Sequence, residues 1–373
     1  MSLITPFGPL EDIPLDDIDK LKEILVRSDK SRMLEGLVIE AVFNEYLRKL
    51  TRQGITILPV SLVKTLTVKT KANGYGKDFV NAWWVWDQSD DGFSSKALRD
   101  LLSPDRSGKG FLFDCYYDEL VRDFFMKEWN GEKNIPIQSF MLKARKQKRP
   151  KFRIPSESVI DENRSQQAFW GGISNHYSTD LFKRVVLHRL FKNCAIQPFF
   201  DGVWDIDSLA QLTDNSLIQL EVKHKFPRVE GPEEALSFGI NNGQLRVMLD
   251  LAKRGIKTLH MIMVKPRWDK NLGTGYLMNR IGDRKNVLLL AKLLDENSLN
   301  EILGRHSWST GAEQSFTGKN EQKARYVYPS EFQLLGTLDD PVEQVADNIG
   351  LAAVGSLNQP VDDQMLKNSR IRE

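Results

Sequence analysis

The chain has 373 residues, 41% of them apolar, with 52 basic and 50 acidic side chains for a net charge of +2. That apolar content excludes a disordered chain, the near-neutral balance restricts any nucleic-acid surface to a local patch, and two cysteines, Cys115 and Cys194, exclude a disulfide framework or a structural zinc cluster. No apolar run approaches the roughly 18 residues of a membrane span, and the opening Met1–Leu10 lacks the basic and long apolar regions of a signal peptide; the expectation is a cytoplasmic protein of two or three domains.

In chain order, residues 16–52 read as two helices. Ile18, Leu21, Ile24 and Leu25 mark the first, and Leu34, Leu37, Val38, Ala41, Val42, Tyr46 and Leu47 the second, with Gly54 placed to end it. Residues 55–69 read as strand, followed by a turn at Asn73-Gly74. Trp83, Trp84 and Trp86 then fit a hydrophobic core better than a base-stacking surface. Residues 143–153 hold seven basic side chains in eleven and read as a basic connector with the charge to meet phosphates. These features suggest an α+β domain over 1–160, for DNA, signal or partner binding, a second domain over 165–335, and an acidic, loosely packed tail over 336–373.

The second domain carries the chemistry. Ser178 or Thr179 is placed to cap a helix through Phe182, Val185, Val186, Arg189 and Leu190. An apolar stretch at 195–200 and strand-like runs at 203–212 and 217–223 follow, then a helix over about 233–254 ended by Gly255, then a strand over 257–264. The order is helix, three strands, helix, strand.

With a period of two, Trp204, Ile206, Ala210, Leu212, Ile218, Leu220 and Val222 share one face, while Asp205, Asp207, Glu221 and Lys223 gather on the other. A one-residue slip would send every side chain of one strand to the wrong face. A three-residue loop, Thr213–Asn215, keeps the faces aligned, and Asn tolerates the left-handed backbone that such a loop needs. This register sets Asp207 opposite Glu221 and Asp205 opposite Lys223.

Carboxylates directly opposite each other are about 4.5–5.5 Å apart at Cβ and destabilise a sheet unless neutralised. A lysine on the same face helps, and a divalent cation helps more. Oxygen ligands, with no cysteine or histidine on that face of the two strands, select Mg²⁺ or Mn²⁺. On a solvated strand face the same residues would form an ordinary ion pair, but aspartate is disfavoured within strands and here two share a face.

At Trp204-Asp205-Ile206-Asp207-Ser208-Leu209-Ala210 and Leu220-Glu221-Val222-Lys223, with thirteen residues between Asp207 and Glu221, the chain resembles the PD-(D/E)XK, or restriction-endonuclease-like, nuclease superfamily. The likeness covers residues 170–265, and Ile206 stands where that family usually has proline. It implies an α/β fold with a mixed β-sheet flanked by helices, order αβββαβ. It also implies Asp207 and Glu221 as metal ligands, Lys223 as the catalytic lysine, and a Mg²⁺- or Mn²⁺-dependent endonuclease acting on DNA, in restriction or anti-phage defence. A double-strand cutter needs two active sites, so a homodimer or a partner subunit is expected. The alternative is an inactive nuclease-like protein that binds DNA or a partner.

Secondary candidates are Asp205, in place of Asp207, Asp180 as a helix-borne acid, and Gln244 as a glutamine facing the site. Lys225, Arg228, Lys265 and Arg267 are candidates for the phosphate backbone. His224 falls on the apolar side and reads as structural, and His176 and His188 have no metal-ligand spacing.

Overall fold

A computed structural model describes residues 2–28, 34–66, 81–88, 96–103, 111–145, 152, 162–200, 202–230, 235–269, 273–278, 280–310 and 322–372. The chain is mixed α/β and forms two compact units. One comprises Met1–Arg32, Leu58–Ile160 and Tyr177–Asp207, the other Met33–Ile57, Asp161–His176 and Ser208–Glu373. The division is therefore interleaved rather than a single cut near residue 165. The Asn73-Gly74 turn and most of the 143–153 basic run lie outside the described residues; Lys143 lies in the last turn of the Ile137–Arg145 helix.

The first unit is built on a six-stranded sheet in the order Ile135–Pro136, Asp123–Glu128, Phe111–Asp118, Ala82–Asp87, Val60–Leu66, Gly202–Ile206. The tryptophans are its core. Trp83, Trp84 and Trp86 are all buried, Trp84 stacks on Phe113 at 4.4 Å, and its indole N–H donates to Thr65 Oγ1 at 3.2 Å. The stretch 195–200 is not a strand: it completes a π-helical segment, Phe191–Ile196, and a 3-10 turn, Gln197–Phe199. Ala195, Ile196, Phe199 and Phe200 are buried, and a short apolar run by itself does not distinguish a buried strand from a buried helical turn. Among the described residues neither Ser178 nor Thr179 is a helix cap. They lie in a 3-10 turn, Ser178–Asp180, that has no side-chain cap bond.

The run 203–212 is not one strand either. Gly202–Ile206 pairs with Val60–Leu66 in the first unit's sheet, whereas Ser208–Gln211 belongs to a sheet of the second unit, with Asp207 as the one residue between the two strands. Asp205 therefore pairs across the backbone with Val63 rather than with Lys223, and its carboxylate accepts from buried Lys192.

The second unit contains α1 (Glu35–Leu47), β1 (Thr56–Ile57), α2 (Glu162–Ala168), β2 (Ser208–Gln211), β3 (Leu217–Lys225), β4 (Arg228–Glu230), β5 (Ala235–Asn241), α3 (Asn242–Ala252), β6 (Lys257–Val264), β7 (Leu288–Leu294), α4 (Glu296–Gly304), β8 (Trp308–Thr310), β9 (Gln322–Val327), β10 (Gln333–Thr337), α5 (Val342–Ala353) and α6 (Asp363–Ser369). Its main sheet runs β10-β7-β6-β3-β2-β1, antiparallel except for the parallel pair β3 and β6. α3 lies in the connection between that parallel pair, as a parallel connection requires. A four-stranded antiparallel sheet, β4-β5-β9-β8, accompanies it.

One core joins Ala210, Leu220, Met261 and Leu289 of the main sheet to α1 and α5; the other joins Ile262, Val264 and Leu290 to α3, α4 and the inner side of the small sheet. Residues 336–373 are integral to these cores rather than a loose tail, since Val345, Ala346 and Ile349 enter the first and Val361 and Leu366 the second. The helix expected over 233–254 is shorter, because 235–241 is strand β5, and Asn241, the last residue of β5, caps α3 through Gly243 N–H at 2.8 Å.

The hairpin register matches the three-residue loop. Ser208 faces Leu220 and Gln211 faces Leu217, Leu212 N–H donates to Ser216 O at 2.9 Å, and Asn215 has φ +64°. Asn215→Val is expected to lower stability by about 1–2 kcal/mol through the left-handed backbone penalty, whereas Asn215→Gly should leave it within a few tenths; the urea midpoint at unchanged slope measures both.

His188 of the first unit is held neutral. Burial pushes its pKa down to about 4, and the ammonium of Lys192 adds to the shift. The unfolded chain therefore takes up a proton between about pH 6.5 and 4 that the folded chain does not, and stability falls as pH drops through that window. His188→Met should reduce the proton uptake on unfolding near pH 5 by up to about one proton, read from the slope of stability against pH.

Candidate functional site

The face of β3 that carries Gln219, Glu221 and Lys223 is polar but buried. Gln219 and Glu221 are each 1% exposed. A charged carboxylate at that depth costs several kcal/mol unless other groups replace its hydration, and here they do. Lys223 pairs with Oε1, Gln244 Nε2 donates to the same oxygen, and Gln219 Nε2 donates to Oε2 at 2.9 Å. Gln219 is oriented in turn by Thr258 Oγ1, which donates to its Oε1 at 2.9 Å.

Three elements deliver these groups. β3 brings Gln219, Glu221 and Lys223 by its period of two, β6 brings Thr258 as the register partner of Gln219, and α3 brings Gln244 in its first turn. The positive end of the α3 dipole thus lies on the side of the carboxylate. Lys223, with its side chain 28% exposed, spans from the buried carboxylate to the surface.

Of the sequence-expected residues, Glu221, Lys223 and Gln244 are brought together. Asp207 falls between two strands: the ladder with β3 ends at Ser208, which faces Leu220, so the expected Asp207–Glu221 pair is not part of it. Asp205 is bound to Lys192 instead, and Asp180 is exposed on its 3-10 turn. Lys225 is half-buried and donates to the Gly239 carbonyl; desolvation first, and the like charge of Lys223 second, push its pKa down to about 8. Lys265 is 7% exposed, with its pKa lowered by burial, and Arg267 lies 3.8 Å from Asp283. Of these, Lys265 is buried, while Arg267 keeps its side chain 27% exposed. His224 is structural: it meets Tyr276 Oη at 2.5 Å, and burial drives its pKa well below the ordinary imidazole value.

Sequence reasoning missed Gln219, Thr258 and His260. His260 is the register partner of Glu221 in the parallel ladder, fully buried, and neither ring nitrogen has a partner among the described residues. Burial, then the charges of Lys225 and Lys223, hold it neutral. A histidine is therefore near after all, some forty positions along the chain. Gln219 shared the polar face and was legible by alternation; Thr258 and His260 entered through parallel pairing, which leaves no local pattern.

Among the described residues no group of three or more His, Cys, Asp or Glu side chains is placed to hold a metal ion. The carboxylates of Asp207 and Glu221 are hard oxygen donors of the kind Mg²⁺ and Mn²⁺ take, and Glu221 already stabilises a cation, the Lys223 ammonium. That donor chemistry fits a hard divalent ion. No protein-family model, curated protein or solved structure matches the chain.

Lys223→Met leaves the Glu221 carboxylate buried without its cation and is expected to cost about 1–3 kcal/mol, below the full buried-pair value because Lys223 is part-exposed. Pairing it with Glu221→Gln should cost less than the sum of the single variants, a coupling read by a double-mutant cycle in urea.

Proposed function

We propose that the protein is a metal-dependent endonuclease with a restriction-endonuclease-like core, cutting DNA phosphodiester bonds by water attack with Asp207, Glu221 and Lys223. One observation carries this reading. Glu221 and Lys223, two residues apart on a strand that ends a hairpin and leads through a helix to a parallel strand, are paired at a buried carboxylate whose other oxygen is fixed by Gln219. Gln244, at the start of that helix, donates to the same carboxylate. A strand face that merely met solvent would not bury its acid to 1% exposure.

In this reading Asp207 and Glu221 hold the ion, which when bound supplies Lewis-acid polarisation of the scissile phosphate. Gln219 and Gln244 fix the Glu221 carboxylate in one orientation, so little reorganisation is needed at the reaction. Lys223 acts at Nζ. Its ammonium holds the attacking water, or meets the charge that develops on a non-bridging phosphate oxygen. A restriction or anti-phage role, a cytoplasmic location and a dimer or partner subunit are the setting in which such an activity fits.

Supercoiled plasmid should be nicked or linearised with Mg²⁺ or Mn²⁺ and not with EDTA. Lys223→Ala, Glu221→Gln and Asp207→Asn should each lower cleavage by about a hundredfold or more. If calorimetry shows no Mg²⁺ or Mn²⁺ binding, or binding that Asp207→Ala leaves unchanged, the metal site is wrong; the reading then passes to a non-catalytic DNA- or partner-binding protein.

A further inference from the structure

The small sheet of the second unit has two unlike faces. Leu236, Phe238, Ile240 and Val327 turn into the core. Cross-strand partners share a face, so Trp308, Ala324 and Asn241 form one row on the opposite side, Tyr326 and Gly239 the next, and Arg228 and Ser237 the next. On that outer face the Arg228 guanidinium lies 5.3 Å from the Trp308 ring centroid and 5.4 Å from that of Tyr326, and donates to Tyr326 Oη at 2.6 Å.

Trp308 and Tyr326 stand 6.2 Å apart with planes at 60°. Tyr326 is 8% exposed beneath this cluster, whereas Trp308 is 43% exposed. The floor is small. A Cβ on Gly239 would lie 3.3 Å from the Tyr326 ring, so glycine is what lets the ring lie flat there. Among the described residues no carboxylate pairs with Arg228, whose guanidinium lies against two π-faces.

We propose that this outer face is a stacking platform for an unpaired nucleotide of single-stranded nucleic acid, with the base on Trp308 and the phosphate at Arg228. A part-exposed indole, with the His306 ring T-shaped against it at 5.1 Å, beside a cation that pairs with no carboxylate among the described residues, matches a ligand that is aromatic and anionic in the same unit. The platform is wired to the Glu221 site. Gly239 accepts from Lys225, two residues past Lys223, and Asn241 in the Trp308 row caps the helix that holds Gln244. Two interstrand spacings, about 10 Å, separate Trp308 from Asn241, a span of one to two nucleotides of extended strand. The direction of that strand, toward Glu221, rests on the nuclease reading; the binding of an unpaired base does not.

The test is fluorescence anisotropy of a labelled 12-nucleotide oligothymidine and of a blunt duplex, with EDTA present to prevent cleavage. Trp308→Leu should weaken oligothymidine binding by about tenfold or more, and Trp308→Phe by less than about threefold, because any ring stacks. Duplex binding should change by less than about threefold in both variants. Circular dichroism shows whether each variant is folded. Oligothymidine binding that is absent in the wild type, or unchanged in folded Trp308→Leu, overturns the platform. So does an equal loss toward the duplex, or loss of binding to an acidic peptide while oligothymidine binding persists. If plasmid is not cleaved with Mg²⁺ or Mn²⁺ while the wild type binds oligothymidine and folded Trp308→Leu loses it, the nuclease reading falls and the platform stands.

Discussion

A carboxylate almost wholly removed from water organises the second unit. An ammonium and two side-chain amides replace the hydration of Glu221 at that depth, and each comes with a structural condition. Lys223 requires the strand period of two. Gln244 requires α3 to begin where it does, which the Asn241 cap enforces. Gln219 requires Thr258, and hence the parallel register of β3 with β6. Hairpin, crossover helix and parallel strand are thus tied to one charged group.

The same constraint explains why the polar network sits beside two hydrophobic cores without disrupting them. The opposite face of β3 gives Ile218 and Leu220 to one core, and α3 gives Leu245 and Met248 to the other. A buried polar cluster is tolerable when its members satisfy one another. His260 is the exception. Its ring nitrogens have no partner among the described residues and its environment keeps it uncharged, which is the cheaper state for an imidazole surrounded by lysines.

The interleaved organisation has a chemical consequence at Asp207. This residue ends one unit and is bonded to the first residue of the other, and the strands on its two sides hydrogen-bond in different sheets. Its neighbour Asp205 is committed to Lys192. The two aspartates, equivalent in sequence as members of one alternating face, therefore differ in setting: Asp205 lies within a strand of one sheet and Asp207 between strands of two. The small sheet shows the same economy: its inner face completes a core and its outer face leaves the Trp308 ring 43% exposed.

What the sequence determined by itself was local. Alternation placed Glu221 and Lys223 on one face, and the need to keep apolar faces aligned required a three-residue loop with Asn215 in the left-handed region, because both follow from the geometry of adjacent residues. Alternation also continued unbroken through Asp207, so the switch of sheets there was invisible: a strand pattern states which side chains share a face, not which partner the strand takes. Helical conformation at 195–200, strand β5 inside the expected 233–254 helix, and the packing of 342–353 into the core were decided by tertiary contacts, since short apolar runs fit either element. His260 beside Glu221, Thr258 beneath Gln219 and Arg228 over Trp308 and Tyr326 unite residues about 40 to 100 positions apart; only long-range strand pairing brings such groups together, and no local pattern records it.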